Sequence, residues 1–240
     1  MLAGSAPRSA YEELAGEYYD PVRHPTCANF RMASGIALRR ALQKKGPLVG
    51  SACEVGSGDS LLAQILSESG ASISRLLITD SSPAMLAYSE RWDALGARRR
   101  LAEAASLPVA DGSVDLLVSS LGDPYNDAGF WSEAGRVLAP GGRVLFTTPS
   151  YAWSHAFRSP ERLRVAQFAL ADGRTLDVPS IVLPEARQRA MLSRAGLRVS
   201  SIDVVTLGEL LPAVISPKLL PERGRMAPVV TLYEVARPSP

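Results

Sequence analysis

The stretch Ser51-Ala52-Cys53-Glu54-Val55-Gly56-Ser57-Gly58 ends a short apolar run in a two-glycine turn, and a stripe of Leu61, Leu62, Ile65 and Leu66 follows it up to Gly70. That order reads as a buried strand, a tight turn and a helix, the unit from which parallel sheets are wound. Moving outward, Ile73 to Thr79 is a second apolar run, closed by Asp80. Ser82-Pro83 then suits the cap and first turn of another helix, which Gly96 should stop. Arg99–Ala104, Val114–Ser120 and Arg143–Thr148 read as further strands, the last after the turn Pro140-Gly141-Gly142, with a helix from Phe130 to Leu138 between the latter two. Strands and helices alternate, which predicts an α/β fold with a parallel sheet.

The flanks follow a different rhythm. Ser9-Ala10-Tyr11-Glu12 has the spacing of a capping box and predicts a short helix to about Tyr19. Asp20-Pro21 and His24-Pro25 break the chain, and Phe30, Ala33, Ala37, Leu38, Ala41 and Leu42 recur at helical spacing until Gly46-Pro47. Between Tyr151 and Leu183, residues 167–170 and 175–178 flank Asp172-Gly173, a favoured hairpin pair, so an inserted β-ribbon is expected there. A helix from Pro184 to Ala195, a strand from Ile202 to Leu207, a proline-rich loop and a strand from Val229 to Val235 complete the reading.

Composition narrows the function. The 240 residues are 46% apolar and 21% charged, with a net charge of +2, so the chain is an ordinary globular one without the concentrated positive charge of a phosphate-tracking protein. Nucleic acid is therefore not an expected partner. No apolar run is long enough for a membrane span, and the N-terminal residues lack the pattern of a secretory signal, which places the chain in the cytoplasm by expectation. Cys27 and Cys53 stand alone, without CxxC or clustered histidines, so no metal site is expected.

Gly56 and Gly58 stand where doubly wound sheets bind nucleotides, and Asp80 ends the next strand, where a carboxylate can accept from both ribose hydroxyls. Two features oppose a dinucleotide. Leu61 occupies the place of the third glycine of that fingerprint, and Glu54 would repel a pyrophosphate at the helix start. An acidic side chain there suits a ligand with a cationic end.

With these residues in order, the chain resembles the class I S-adenosylmethionine-dependent methyltransferases of small-molecule type. Glu54-Val-Gly-Ser-Gly-Asp-Ser60 resembles the family's acidic-x-Gly-x-Gly-x-Gly motif. Leu107-Pro-Val-Ala-Asp-Gly-Ser-Val-Asp115 resembles its Leu-Pro-Phe…Phe-Asp stretch, and Arg136-Val-Leu-Ala-Pro-Gly-Gly142 the turn before the fifth strand. The chain departs at Ser60, where the family has a third glycine, and at Glu103, where an Asp is usual. The resemblance implies a three-layer, Rossmann-like sheet of seven strands with the last antiparallel, an N-terminal helical cap and the inserted ribbon after strand five. It implies one domain over 1–240: cap 1–49, cofactor-binding core 50–150, insertion or lid 151–183, and closing helix and hairpin 184–240. S-adenosyl-L-methionine would be the cofactor, touched by Glu54, Gly56, Ser57, Gly58, Asp80, Ser81, Met85, Glu103, Ala104, Ser119 and Tyr19. Met85, with Leu86, also reads as core.

Methyl transfer demands alignment and exclusion of water, and a base only when the acceptor must lose a proton. Segments expected over the acceptor carry Tyr18, Tyr19, His24 and Phe30, then Ser119, Asp123 and Tyr125, then Trp153, His155 and Phe157, aromatic walls around a few polar groups as in a small-molecule pocket. His24, His155, Asp123 and Tyr125 are the candidate catalytic residues. Gly122-Asp-Pro-Tyr-Asn126 also resembles, short of one proline, the Asp/Asn-Pro-Pro-Tyr motif of amino-group methyltransferases acting on nucleic acid or protein. An inactive, cofactor-binding interaction module is a third reading.

Overall fold

The computed structural model describes residues 10–46, 50–159, 164–210, 214–220 and 224–238. The parallel core is β1 (Ala52–Val55), β2 (Leu76–Asp80), β3 (Arg98–Leu101), β4 (Val114–Ser119) and β5 (Leu138–Pro149). Two more strands, β8 (Arg198–Thr206) and β9 (Pro228–Ala236), extend the sheet to seven in the order β3-β2-β1-β4-β5-β9-β8. Only β9 runs against its neighbours, pairing antiparallel with both β5 and β8. The strand order turns back at β1, between β2 and β4, and that switch opens a crevice at the strands' carboxyl ends.

Period-two alternation sorts the strand side chains onto two faces. Ala52, Leu76, Ile78, Leu116, Val118 and Leu145 pack with α2 (Pro25–Lys45) and α3 (Leu61–Glu68). Cys53, Val55, Leu77, Leu117, Val144 and Phe146 pack with α5 (Ala128–Val137) and α7 (Glu185–Arg194). Three layers result, with β1 and β4 buried on both sides, which is why most of their residues are apolar.

Several expected boundaries moved. The first helix, α1, spans only Ala10–Leu14 before the chain turns, and Ser9 of the expected capping box lies outside the described residues, as does Pro47. Pro25 begins α2 instead of breaking the chain, because a proline at the first helical turn removes an amide that has no partner there. The helix expected from Ser82 to Gly96 is split into α4 (Pro83–Ala87) and a 3-10 turn, Glu90–Leu95. Ser89 lies at the split, where its hydroxyl donates to Gly58 O at 2.6 Å and accepts from Ser60 N at 2.9 Å. The strand expected to reach Ala104 stops at Leu101, and β8 begins at Arg198 rather than Ile202. The inserted ribbon is present as β6 (Val165–Ala169) and β7 (Thr175–Pro179), preceded by an unexpected short helix, α6 (Tyr151–Ala156).

Glu54, the acidic residue of the opening motif, is fully buried at the end of β1. Its carboxylate accepts from the Ser60 hydroxyl and, at 3.2 and 3.3 Å, from Leu62 N, so it fills the start of α3. Ser60 in turn caps that helix, accepting from Ala63 N at 3.0 Å, which explains why a serine stands where a third glycine was expected. Burial pushes the Glu54 carboxyl up to about 7, opposed by these hydrogen bonds. Glu54→Ala leaves two buried donors without partners and is expected to cost about 2–4 kcal/mol of unfolding free energy, against about 1 kcal/mol for Glu54→Gln, which keeps an acceptor in place. Chemical denaturation of both variants measures this. Equal losses would mean that shape and not the acceptor matters.

Candidate active site

A cavity of about 320 Å3 opens at the switch between β1 and β4. Gly56, Ser57, Asp80, Ser81, Met85, Glu103, Ala104 and Tyr19 line it, eight of the eleven residues expected to hold a cofactor. Asp80 is positioned by its own backbone surroundings: Oδ2 accepts from Gly58 N at 2.8 Å and Oδ1 from Ser82 N at 2.9 Å. Burial raises its carboxyl above the ordinary range, and Glu103 across the cavity adds to the rise. Each carboxylate oxygen has a second lone pair, so both remain able to accept from a diol.

The remaining three lie behind the wall. Gly58 sits under it with φ +47, its amide on Asp80, and a Cβ there would collide with the Tyr19 hydroxyl. The Ser119 hydroxyl bonds Tyr125 Oη at 2.9 Å. Glu54 turns away to α3, so it does not face a cationic ligand as its sequence position suggested. It still opposes a dinucleotide, because a carboxylate already fills the helix start that would receive a pyrophosphate.

A second cavity, of about 380 Å3, adjoins the first, and Tyr11, Tyr18, Leu121 and Pro179 border both. The start of α2 contributes His24, Cys27 and Phe30, the loop after β4 contributes Asp123, α6 contributes Trp153, and the ribbon and the residues after it contribute Phe168 and Ser180. Leu121 holds φ +54, rare for a leucine, fixed by its amide on Thr147 Oγ1 at 2.8 Å. It forms part of the partition between the cavities.

The four candidate catalytic residues separate. His24 and Asp123 line the second cavity. Tyr125 borders the first, but its hydroxyl donates to Val55 O at 2.7 Å and burial raises it far above its usual range, so it is a brace and not a proton acceptor. His155 lines a separate surface groove with Tyr151, on which it stacks at 5.3 Å. A helical turn of α6 carries it away from the cavity that Trp153 faces. The Asp123-Pro-Tyr-Asn126 stretch is equally committed: Asn126 bonds Ile181 O, Gln188 and Trp131 Nε1, so it offers no free polar pair to a planar nitrogen.

Sequence reasoning missed Arg31, Ser120 and Glu17. Arg31 borders the first cavity, lies 5.1 Å from the Tyr19 ring centre and bonds Asp59. It carries no local signal, being one arginine among many on a long helix. The hydroxyls of Ser57 and Ser120, both in residues lining the first cavity, are buried with no hydrogen-bond partner among the described residues. Orphaned hydroxyls of this kind mark a wall shaped for a polar ligand.

Comparison with known proteins agrees with this geometry. Residues 53–146 match a family model described as a methyltransferase domain. A malonyl-[acyl-carrier protein] O-methyltransferase of Hahella chejuensis is 36% identical over 98 residues, 40% of this chain and 35% of that one, so the match spans about a third of the curated relative's length. Among solved structures, an S-adenosylmethionine-dependent methyltransferase from Mesorhizobium loti superposes with a TM-score of 0.60 at 22% identity, covering 85% of this chain and 98% of that one. The DhpI-SAM-HEP complex gives 0.61 at 20% identity, covering 95% and 94%. Among the described residues no helix is long and apolar enough to cross a membrane.

Burial holds Asp123 up to about 6, opposed by the hydrogen bond from Ser180 Oγ and by the Arg158 charge. Between its ordinary 3.8 and about 6 the folded chain binds a proton that the unfolded chain has lost, so this contribution favours folding at low pH and is lost as pH rises through about 6. Asp123→Asn is expected to gain about 2 kcal/mol on the wild type between roughly pH 4 and pH 8. Thermal melts at the two pH values test it, and identical pH dependence in both proteins would show the charge to be fully compensated.

Proposed function

We propose that the protein is a class I S-adenosylmethionine-dependent methyltransferase, a reading that the methyltransferase-domain match over residues 53–146 supports, and that it methylates a small molecule held in the second cavity. The observation that carries the reading is the pair of adjoining cavities, one walled by the family's nucleotide-end residues and the other by aromatic side chains with a few polar groups. When bound, the cofactor would supply an electrophilic methyl group carried on a sulfonium sulfur.

The chain's own residues bind and orient. Asp80 would hold the ribose hydroxyls, Ser81, Met85, Glu103 and Ala104 would surround the base, and Ser57, Tyr19 and Arg31 would meet the amino-acid end, where the guanidinium suits a carboxylate. The orphaned Ser57 and Ser120 hydroxyls and the glycine at 56 fit such a ligand. Trp153 of α6 and Phe168 of the ribbon lie in the segment that would cover the acceptor and exclude water, and His24 or Asp123 would receive a proton if one is lost. The curated relative is named for transfer to oxygen. An amino-group methyltransferase is less favoured, since Tyr125 and Asn126 are already bonded within the fold. A cytoplasmic location fits the two unpaired cysteines.

Calorimetry tests the cofactor assignment: S-adenosylmethionine is expected to bind more tightly than NAD, and Asp80→Ala to weaken it by about 1.5–3 kcal/mol. Equal or tighter binding of NAD would overturn the assignment. Release of S-adenosylhomocysteine, measured across fractionated metabolites, identifies the acceptor.

A further inference from the structure

His24 and Glu17 present a pair of buried atoms that the fold itself leaves unsatisfied. His24 immediately precedes α2, its backbone held by His24 N to Asp20 O at 2.9 Å and by Ala28 N to His24 O at 3.1 Å, so the imidazole stands on a rigid helix start. It is 7% exposed, packs edge-on against Phe168 with centroids 5.4 Å apart, and lines the second cavity. Its Nε2 lies 3.5 Å from Glu17 Oε2. Both atoms are buried without any other partner among the described residues. The second Glu17 oxygen accepts from Ala171 N, in the turn of the ribbon, at 3.1 Å. The carboxylate is thus fixed from one side by the segment covering the cavity and aimed on the other at the imidazole.

Resting on the methyltransferase reading above, we propose that Glu17 is a positioning residue for His24, and that the pair takes the proton from a hydroxyl acceptor bound in the second cavity. With Nε2–H directed at the Glu17 carboxylate, the lone pair of the neutral ring resides on Nδ1, which makes no hydrogen bond to the described residues. The acceptor's O–H bond breaks, its proton goes to Nδ1, and its electron pair stays on oxygen as the nucleophile. The positive charge that forms on the ring is balanced by Glu17. A gap of 3.5 Å is longer than a hydrogen bond, and such contacts tighten when a site fills. Arg23, Arg158 and Lys218 also border the cavity against a single carboxylate there, Asp123, so the balance disfavours an ammonium acceptor and favours charge developing on oxygen.

The chain has only two histidines, which makes the test direct. Nitrogen-15 NMR of the full-length, histidine-labelled protein with S-adenosylhomocysteine, at a pH where imidazole is neutral, reads the tautomer of each, with exposed His155 as the internal reference. His24 is expected to favour the Nε2–H form about tenfold more than His155 does, and Glu17→Ala to remove that excess while Glu17→Gln, which retains a carbonyl acceptor, keeps part of it. A bias no greater than that of His155, or one unchanged in both variants, overturns the pairing. For the acceptor class the probe is 4-nitrophenol. Below the phenol's own pKa, the wild-type difference spectrum is expected to show phenolate, lost in His24→Gln, and a spectrum of phenol alone overturns the hydroxyl assignment. Calorimetry of S-adenosylmethionine on the same samples separates the two levels, because intact cofactor binding beside an unbiased His24 rejects the pair alone, whereas absent binding in the wild type rejects the methyltransferase reading.

Discussion

The site depends on a buried carboxylate that touches no ligand surface. Glu54 ends β1 and closes the start of α3 through Ser60 and Leu62 N. A charge in that position is costly unless donors surround it, and the helix start is a dense source of unpaired amide groups. The arrangement fixes how the chain leaves the strand. Gly56 and Gly58 then adopt φ of +58 and +47, and the Gly58 amide is delivered to Asp80 on the neighbouring strand. Two carboxylates on adjacent strands are therefore coupled through one turn, the first shaping it and the second taking its amide while facing the cavity.

The motifs that resemble those of the methyltransferases are mostly structural fastenings. Arg136 pairs with Glu133 through two bonds, at 2.8 and 2.6 Å, and reaches Val109 O, Asp111 and Leu107 O, while Glu133 accepts from Leu107 N. One ion pair on α5 thereby ties down the loop that begins at Leu107-Pro108, which is why these two motifs occur together. Asp115 accepts from Ser51 N at 2.8 Å and aligns β1 with β4. None of these groups borders either cavity, so the signature reports the scaffold and is silent on the acceptor.

The alternating core was legible because strands buried on both faces are mostly apolar and the turns between them need glycine or proline at fixed places. Asp80, Gly56 and Ser57 were legible for the same reason, since their roles follow from position at a strand end. The second cavity was not. Its walls come from α2, the loop after β4, α6 and the ribbon, and no spacing rule joins residues so distant in sequence. Tyr125 looked reactive until Val55 O was seen to hold its hydroxyl, and His155 looked equivalent to His24 until α6 turned it into another groove. Glu17 gave no signal, because a glutamate in a short polar segment is indistinguishable from a solvated one until Ala171 and His24 arrive beside it.

The place of β9 constrains how the chain can be made. It is the latest strand in sequence, yet it fills an interior slot between β5 and β8. While the nascent chain lacks it, β5 keeps an open edge and β8 has no partner at all. The apolar face of α2, translated long before, also waits, since Ala37, Leu38 and Ala41 share a cluster with Val230 and Leu232. The β1–β5 unit can assemble from neighbouring crossovers, whereas seating β9 against α2 joins segments almost two hundred residues apart, and pairing at such sequence separation is intrinsically slow. Until then the ribosome-bound intermediate carries an unpaired strand edge and an uncovered helix, the surfaces that chaperones recognise and that aggregation exploits.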